Sequence, residues 1–175
     1  ALRQAQVEQH QVEAFAGQGA GRRFETWSKP GERPVVHDYA HHPTEVRACL
    51  GAAREAYPDA QIHVLFQPHQ HSRTARLLDD FADALQLADR VTIAPVYGAR
   101  KHIDGLVHAG AEEMAAAVQS LGTTAAACAS LAEATASFAG GLASEQQAAG
   151  FILGAGDVED VQDDLIHRMA LCSPS

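Results

Sequence analysis

An α/β fold is the architecture this sequence predicts: a mostly parallel sheet with helices on both faces and one antiparallel edge strand. Three observations predict it. Short apolar runs alternate with amphipathic helical segments about five times along the chain, the pattern of a sheet wrapped by helices. Several of those runs are continuous in apolar character and bounded by turn residues, as buried strands are. The stretch between the first two β-prone runs is too short for a crossover, so that pair has to be antiparallel.

Each element follows from its own residues. Residues 4–16 are helical and weakly amphipathic, and "GQGAG" (17–21) places three glycines in five positions, a joint. Residues 1–21 therefore read as the tail of an upstream domain plus a glycine-rich hinge, and 22–175 as the domain itself. "RFETW" (23–27) and "PVVHDY" (34–39) are β-prone runs parted by the turn segment "SKPGER". Residues 43–57 put Val46, Cys49, Leu50, Ala53 and Tyr57 on one helical face. Pro43 suits the first helical position there, and Glu45 suits the positively polarised first turn. "IHVLF" (62–66) is a buried strand. Residues 72–88 form one helix with Leu77, Leu78, Phe81 and Leu85 in a stripe and Ser72 as N-cap. "RVTIAPVY" (90–97) is a strand, 110–121 a helix, "AAACA" (125–129) a weak strand and 130–139 a short helix. "GFILGAG" (150–156) runs from strand into a glycine turn, and Asp157 caps a last helix, 158–171, with Val158, Val161, Leu165 and Met169 on one face.

Composition narrows the function classes. The formal net charge is −9 with two lysines, a poor balance for neutralising a nucleic-acid backbone, so no nucleic-acid partner is expected. No apolar run approaches the roughly 18 residues a membrane helix needs, and the polar N-terminus has no signal-peptide core. Cys49, Cys128 and Cys172 are odd in number and lack metal spacing. They fit buried thiols in a reducing, cytoplasmic setting.

Polar residues gather where ligands bind in open α/β sheets, beyond the carboxyl ends of strands. "HDYAHH" follows the strand 34–39, "QPHQHSR" follows 62–66, "PVYGARKH" follows 90–96 and "GAGD" follows 150–154. Asp38 ends an apolar strand, where a carboxylate has to be solvated, paired or bound to a ligand hydroxyl; Tyr39 beside it suits packing equally well. His41, His42, His69 and His71 could converge on a metal, with His69 and His71 in His-x-His spacing. Against metal, His41 and His42 are neighbours that diverge without a sharp turn, and no His-Glu-x-x-His occurs. The blander alternative makes each histidine a loop residue bonded to backbone and water, and Arg73 a solvated helix residue. "GAGDVE" lacks the third glycine of a dinucleotide fingerprint, since Glu159 stands there. The chain has no Gly-Lys pair, hence no phosphate-gripping loop of its own, and no G-x-S-x-G elbow.

"GRRFE" (21–25), "HDYAHHPTEV" (37–46), "LFQPHQHSRT" (65–74), "PVYGAR" (95–100) and "GAGDV" (154–158), in that order, closely resemble the C-terminal domain of the Mur ligases, and within them the alanine-adding branch. The resemblance implies a Rossmann-like domain that closes on two upstream ligase domains of an ATP-dependent amide-bond former in bacterial peptidoglycan synthesis. UDP-N-acetylmuramate and L-alanine would be the substrates. The muramoyl carboxylate would be activated as an acyl phosphate and attacked by the alanine amine. ATP and Mg would be held mainly by the central domain, outside this chain, so the chain alone should be inactive. Carried over residue by residue, Arg23 would contact ATP on closure, and Asp38, with Tyr39 beside it, would meet the nucleotide. His41, His42, His69 and Arg73 would line the alanine side and the acyl-phosphate region. His37 stands where the family usually has a second aspartate, and Gln70 where many members have arginine. A murein tripeptide-recycling ligase domain, a non-catalytic nucleotide- or ligand-binding module and a zinc-binding α/β protein are the alternatives.

Overall fold

The computed structural model describes residues 24–29, 32–98 and 109–172. Strand β1 (Glu25–Thr26) runs antiparallel to β2 (Val35–Asp38). Strands β3 (Gln61–Phe66), β4 (Arg90–Ile93), β5 (Thr124–Ala127) and β6 (Ala148–Leu153) continue the sheet in parallel, in the spatial order β1-β2-β6-β3-β4-β5. The helices are α1 (Pro43–Ala56), α2 (His71–Arg76), α3 (Leu78–Leu85), α4 (Ala111–Ser120), α5 (Leu131–Ser144) and α6 (Gln162–Cys172), the last preceded by a 3-10 turn at Asp157–Val161. The predicted mixed sheet, with its single antiparallel pair at the edge, is what the chain forms.

Strand alternation sends side chains to two cores. Phe151 and Leu153 of β6 join Val64 and Phe66 of β3 beneath α1, α3 and α4. Ile152 and Leu65 point the other way, against Phe138 and Leu142 of α5 and Leu165 of α6. From β2 to β5 the chain steps outward with its helices on the first face. It then returns through α5 on the second face and inserts β6 between β2 and β3. Right-handed crossovers require that change of face when the direction of stepping reverses. The reversal opens a crevice beyond the carboxyl ends of β2, β6 and β3, the usual ligand position in such sheets.

The face assigned to α1 is buried as expected, from Val46 to Tyr57. Three local expectations need correction. The helix over 72–88 is two helices, broken at Leu77 (φ −114°, ψ 22°), and it begins at His71 after Gln70 rather than at a Ser72 cap. The break lets Phe81 and Leu85 bury fully while Leu77 and Leu78 stay half-buried at its corner. The helix over 130–139 continues to Ser144, straight through Gly140 and Gly141. Here glycine serves close packing rather than a stop: a Cβ on Gly141 would lie 3.2 Å from Arg90 Cδ and 3.3 Å from His63 Nδ1. Asp157 opens a 3-10 turn instead of capping an α-helix. Cys49 and Cys128 are buried, and burial followed by Glu133 raises the Cys128 thiol pKa, as inert thiols require. Among the described residues no helix is long and apolar enough to cross a membrane.

His63 sits under Gly141 with 2% of its surface exposed and Nδ1 enclosed without a partner. Burial, and then the Arg90 charge, hold its pKa below the usual 6.5, against smaller opposing effects of Glu145 and Asp89. The folded protein thus prefers the neutral ring, while the unfolded chain takes up a proton once pH falls below about 6.5. Stability should be level above neutrality and decline from about pH 6.5 downward until the folded ring itself protonates. Urea midpoints measured between pH 7.5 and 5 check this, and a His63→Met variant should lose less over the same range.

Candidate functional site

The rim of the crevice is built from the residues just beyond β2, β3, β4 and β6. Asp38, the last residue of β2, is 3% exposed. One carboxylate oxygen accepts the Phe24 N–H at 3.0 Å and the other accepts the Ala40 N–H at 2.8 Å. It therefore ties the chain entering β1 to the end of β2. The tie holds Phe24 at φ 52°, a left-handed conformation that non-glycine residues adopt only when fixed by their surroundings. Arg23, the residue expected to contact the nucleotide, lies outside the described residues, as does the expected tail and hinge over 1–21.

The segment after Asp38 turns into α1. Tyr39 is half-buried, its carbonyl 2.9 Å from His41 Nδ1 and its ring edge-on to the His41 ring at 5.2 Å. A carbonyl only accepts, so Nδ1 carries the proton and a neutral His41 presents Nε2 as an acceptor. Glu45, 3.5 Å from His41 Nδ1, accepts the backbone N–H groups of His41 (3.1 Å) and His42 (3.2 Å). His42 is exposed at the N-cap, its Nδ1 3.4 Å from the Thr44 N–H. The two N–H groups before this helix are thus taken by the protein's own carboxylate.

His69 meets the cluster from the β3 side. Its ring lies 6.2 Å from that of His41 and stacks on Tyr97 at 5.6 Å with an interplanar angle of 28°. Nδ1 is enclosed without a partner. Burial first, then the charges of Arg73 and His41, lower its pKa, so the ring stays neutral around pH 7. Arg73, half-buried on α2, makes no hydrogen bond or ion pair among the described residues. Four of the anticipated residues thus share one rim: Tyr39, His41, His69 and Arg73. Asp38 lies beneath it and His42 faces outward. His71 turns away, its Nδ1 3.1 Å from the Ala109 carbonyl. Among the described residues no group of three His, Cys, Asp or Glu side chains stands ready to hold a metal ion.

Three residues of the rim escape a reading of the sequence by residue type. Gln67 is 3% exposed; its Nε2 donates to Asp157 and its Oε1 accepts the Val158 N–H, joining the end of β3 to the loop after β6. Gly156 gives room, since a Cβ there would collide with Tyr97 Cγ and stand 2.5 Å from Gln67 Oε1. Tyr97 is the third. The signal for all three was the "QPH", "PVY" and "GAG" strings at adjacent strand ends. At the opposite edge of the sheet, a groove of about 400 Å³ between α5, α6 and the β1–β2 loop is lined by Trp27, Val35, Leu142 and Met169. Lys29, Glu32 and Arg33 also line it, and it carries none of the polar groups of the rim.

A parallel sheet with its reversal beside β6 and a rim of imidazoles, one guanidinium and a glycine-turned loop belongs to a defined class. The model of the Mur ligase glutamate ligase domain matches residues 22–156, and the chain belongs to the Mur ligase family. Within it, the chain is 48% identical over 86 residues to the UDP-N-acetylmuramate–L-alanine ligase of Lactococcus lactis, a match covering 49% of this chain and 19% of that protein. Among solved structures it resembles the UDP-N-acetylmuramate–alanine ligase of Thermotoga maritima (TM-score 0.66, 29% identity, 89% of this chain and 31% of that one). The murein peptide ligase of Psychrobacter arcticus shares the fold (TM-score 0.69, 18% identity, 90% and 32%). The matched stretch is therefore about a fifth of the curated relative's length.

Proposed function

We propose that this chain is the C-terminal domain of an ATP-dependent ligase that joins L-alanine to UDP-N-acetylmuramate, acting with upstream domains and inactive alone. The observation that carries the reading is the rim: a guanidinium without a partner among the described residues, beside two imidazoles, in a chain 48% identical over 86 residues to an alanine-adding ligase. An unpaired guanidinium fits a planar anion, the alanine carboxylate or an acyl phosphate. Positioning the amine and stabilising charge as it attacks are what this domain would supply. His69, held neutral, can take a proton from the incoming ammonium through its Nε2. His41 lies next to it, and His42 stands at the outer end of the same segment. Asp38 and Tyr39 would face the nucleotide, with Arg23 contacting it on closure, and Asp38 holds the entry strand in register. The Arg73 guanidinium suits an anionic group, whereas the described residues present no carboxylate set for Mg. The triphosphate grip and its metal fall to the upstream domains.

The test is a ligation assay on the full-length protein with ATP and UDP-N-acetylmuramate. Adduct with L-alanine, identified by mass, is the expected product, and the isolated chain should give none. Adduct only with a murein tripeptide would transfer the domain to the recycling ligase. No adduct with either, together with retained nucleotide binding, would leave a binding module.

A further inference from the structure

We infer that Tyr97 is a positioning residue for His69, clamped by a glycine at position 156 that exists to admit its ring. The inference rests on the ligase reading above and extends it to a residue that reading leaves unused. Tyr97 is 40% exposed, one of few large apolar side chains open to solvent among the described residues, yet it is tightly held. Its ring stacks on His69. Its backbone forms an isolated parallel bridge with His69, the Tyr97 N–H donating to the Pro68 carbonyl at 2.8 Å and its carbonyl accepting the Gln70 N–H at 2.9 Å. Gly156 lies directly against the ring. At φ −117° Gly156 is in no conformation that demands glycine, so the missing side chain answers to space.

The clamp explains a strained neighbour. Gln70 has φ 68°, positive for a residue with a Cβ. Such strain persists only where surrounding bonds fix it. The Tyr97 carbonyl and the Thr74 N–H and hydroxyl, both donating to the Gln70 carbonyl at 3.0 Å, do so. The bend at Gln70 separates His69 from α2, which carries Arg73. Tyr97 thus controls both the plane of the imidazole and the turn that sets the guanidinium beside it. Because His69 Nδ1 has no hydrogen bond to orient the ring, ring contacts must do so, and the Tyr97 stack at 5.6 Å is nearer than the His41 edge at 6.2 Å.

Three variants test this: Tyr97→Phe, Tyr97→Ala and Gly156→Ala. The His69 imidazole titration is followed by NMR in the chain, assigned with a His69→Gln control, and ligation is followed in the full-length protein. Tyr97→Phe should keep both the titration and turnover within about twofold. Tyr97→Ala and Gly156→Ala should move the His69 pKa upward toward 6.5 as water reaches the ring. They should also lower kcat on the order of 10- to 100-fold, the cost of a misplaced catalytic group. The stability of Tyr97→Ala, read as a urea midpoint, should change little, because the ring is partly in solvent. An unchanged His69 titration in both disruptive variants overturns the proposal. So does a moved titration with undiminished turnover. A full-length protein inactive without any substitution sinks the ligase reading but not the clamp, which the titration then decides alone.

Discussion

Replacing Arg73 with alanine in the full-length ligase should lower kcat/KM for L-alanine by about 10- to 150-fold, which corresponds to the 1.5–3 kcal/mol of a charged hydrogen bond. Stability should not fall with it. The guanidinium has no protein partner among the described residues, so its removal breaks no internal bond. Arg73→Lys should recover part of the loss, since it restores charge without the planar fork that grips a carboxylate or phosphate by two bonds. The split between the parameters is informative. If Arg73 holds the alanine carboxylate equally in ground and transition states, KM rises and kcat holds. If it meets charge that develops during acyl transfer, kcat falls. Wild-type kinetics in Arg73→Ala would remove the guanidinium from the site.

Asp38→Ala should cost the chain about 2–6 kcal/mol, because it strands two buried N–H donors at about 1–3 kcal/mol each. Those donors are Phe24 and Ala40, now held at 3.0 and 2.8 Å. Phe24 also loses the bond that keeps its φ positive, and its ring packs edge-on to Phe151 at 6.1 Å. The damage therefore spreads from the rim into the first core. Asp38→Asn, which keeps one acceptor oxygen, should lie between. Urea denaturation of the three proteins measures the effect. Superimposed transitions would show that the carboxylate does not hold the entry strand. An activity loss in Asp38→Ala is interpretable only beside this measurement.

The contrast between these two residues shows what could be read from the chain and what could not. The strand–helix alternation, the face of α1 and the gathering of polar strings at strand ends all follow from periodicity and from turn residues, which are local. So the sheet, its antiparallel edge and the neighbourhood of His41, His69 and Arg73 were legible. Asp38 was legible as a carboxylate with a demand, but its partners are backbone N–H groups, which every sequence contains and none displays. Gly156 was invisible for a related reason: nothing in "GAGD" tells whether a glycine serves a turn angle or makes space for a tyrosine that lies 59 positions earlier. The helix expected over 130–139 runs on through Gly140 and Gly141, and Gly141 makes a close approach to His63 that no local signal displays. Leu77 broke an otherwise regular stripe because burying Phe81 and Leu85 outweighs the weak preference for one unbroken helix.

The placement of β6 has a bearing on how the protein is made. This strand is made after the other five strands of the sheet, yet it occupies the middle, bonded on both sides to β2 and β3. Until it arrives, those two strands present bare edges of the kind on which nascent chains aggregate. Sheet closure must await the last of the six strands and then join segments far apart along the polypeptide, a slow, high-contact-order step. A chain that stalls before Ala148 would lack the strand that seals the centre, making this region a natural point of chaperone dependence.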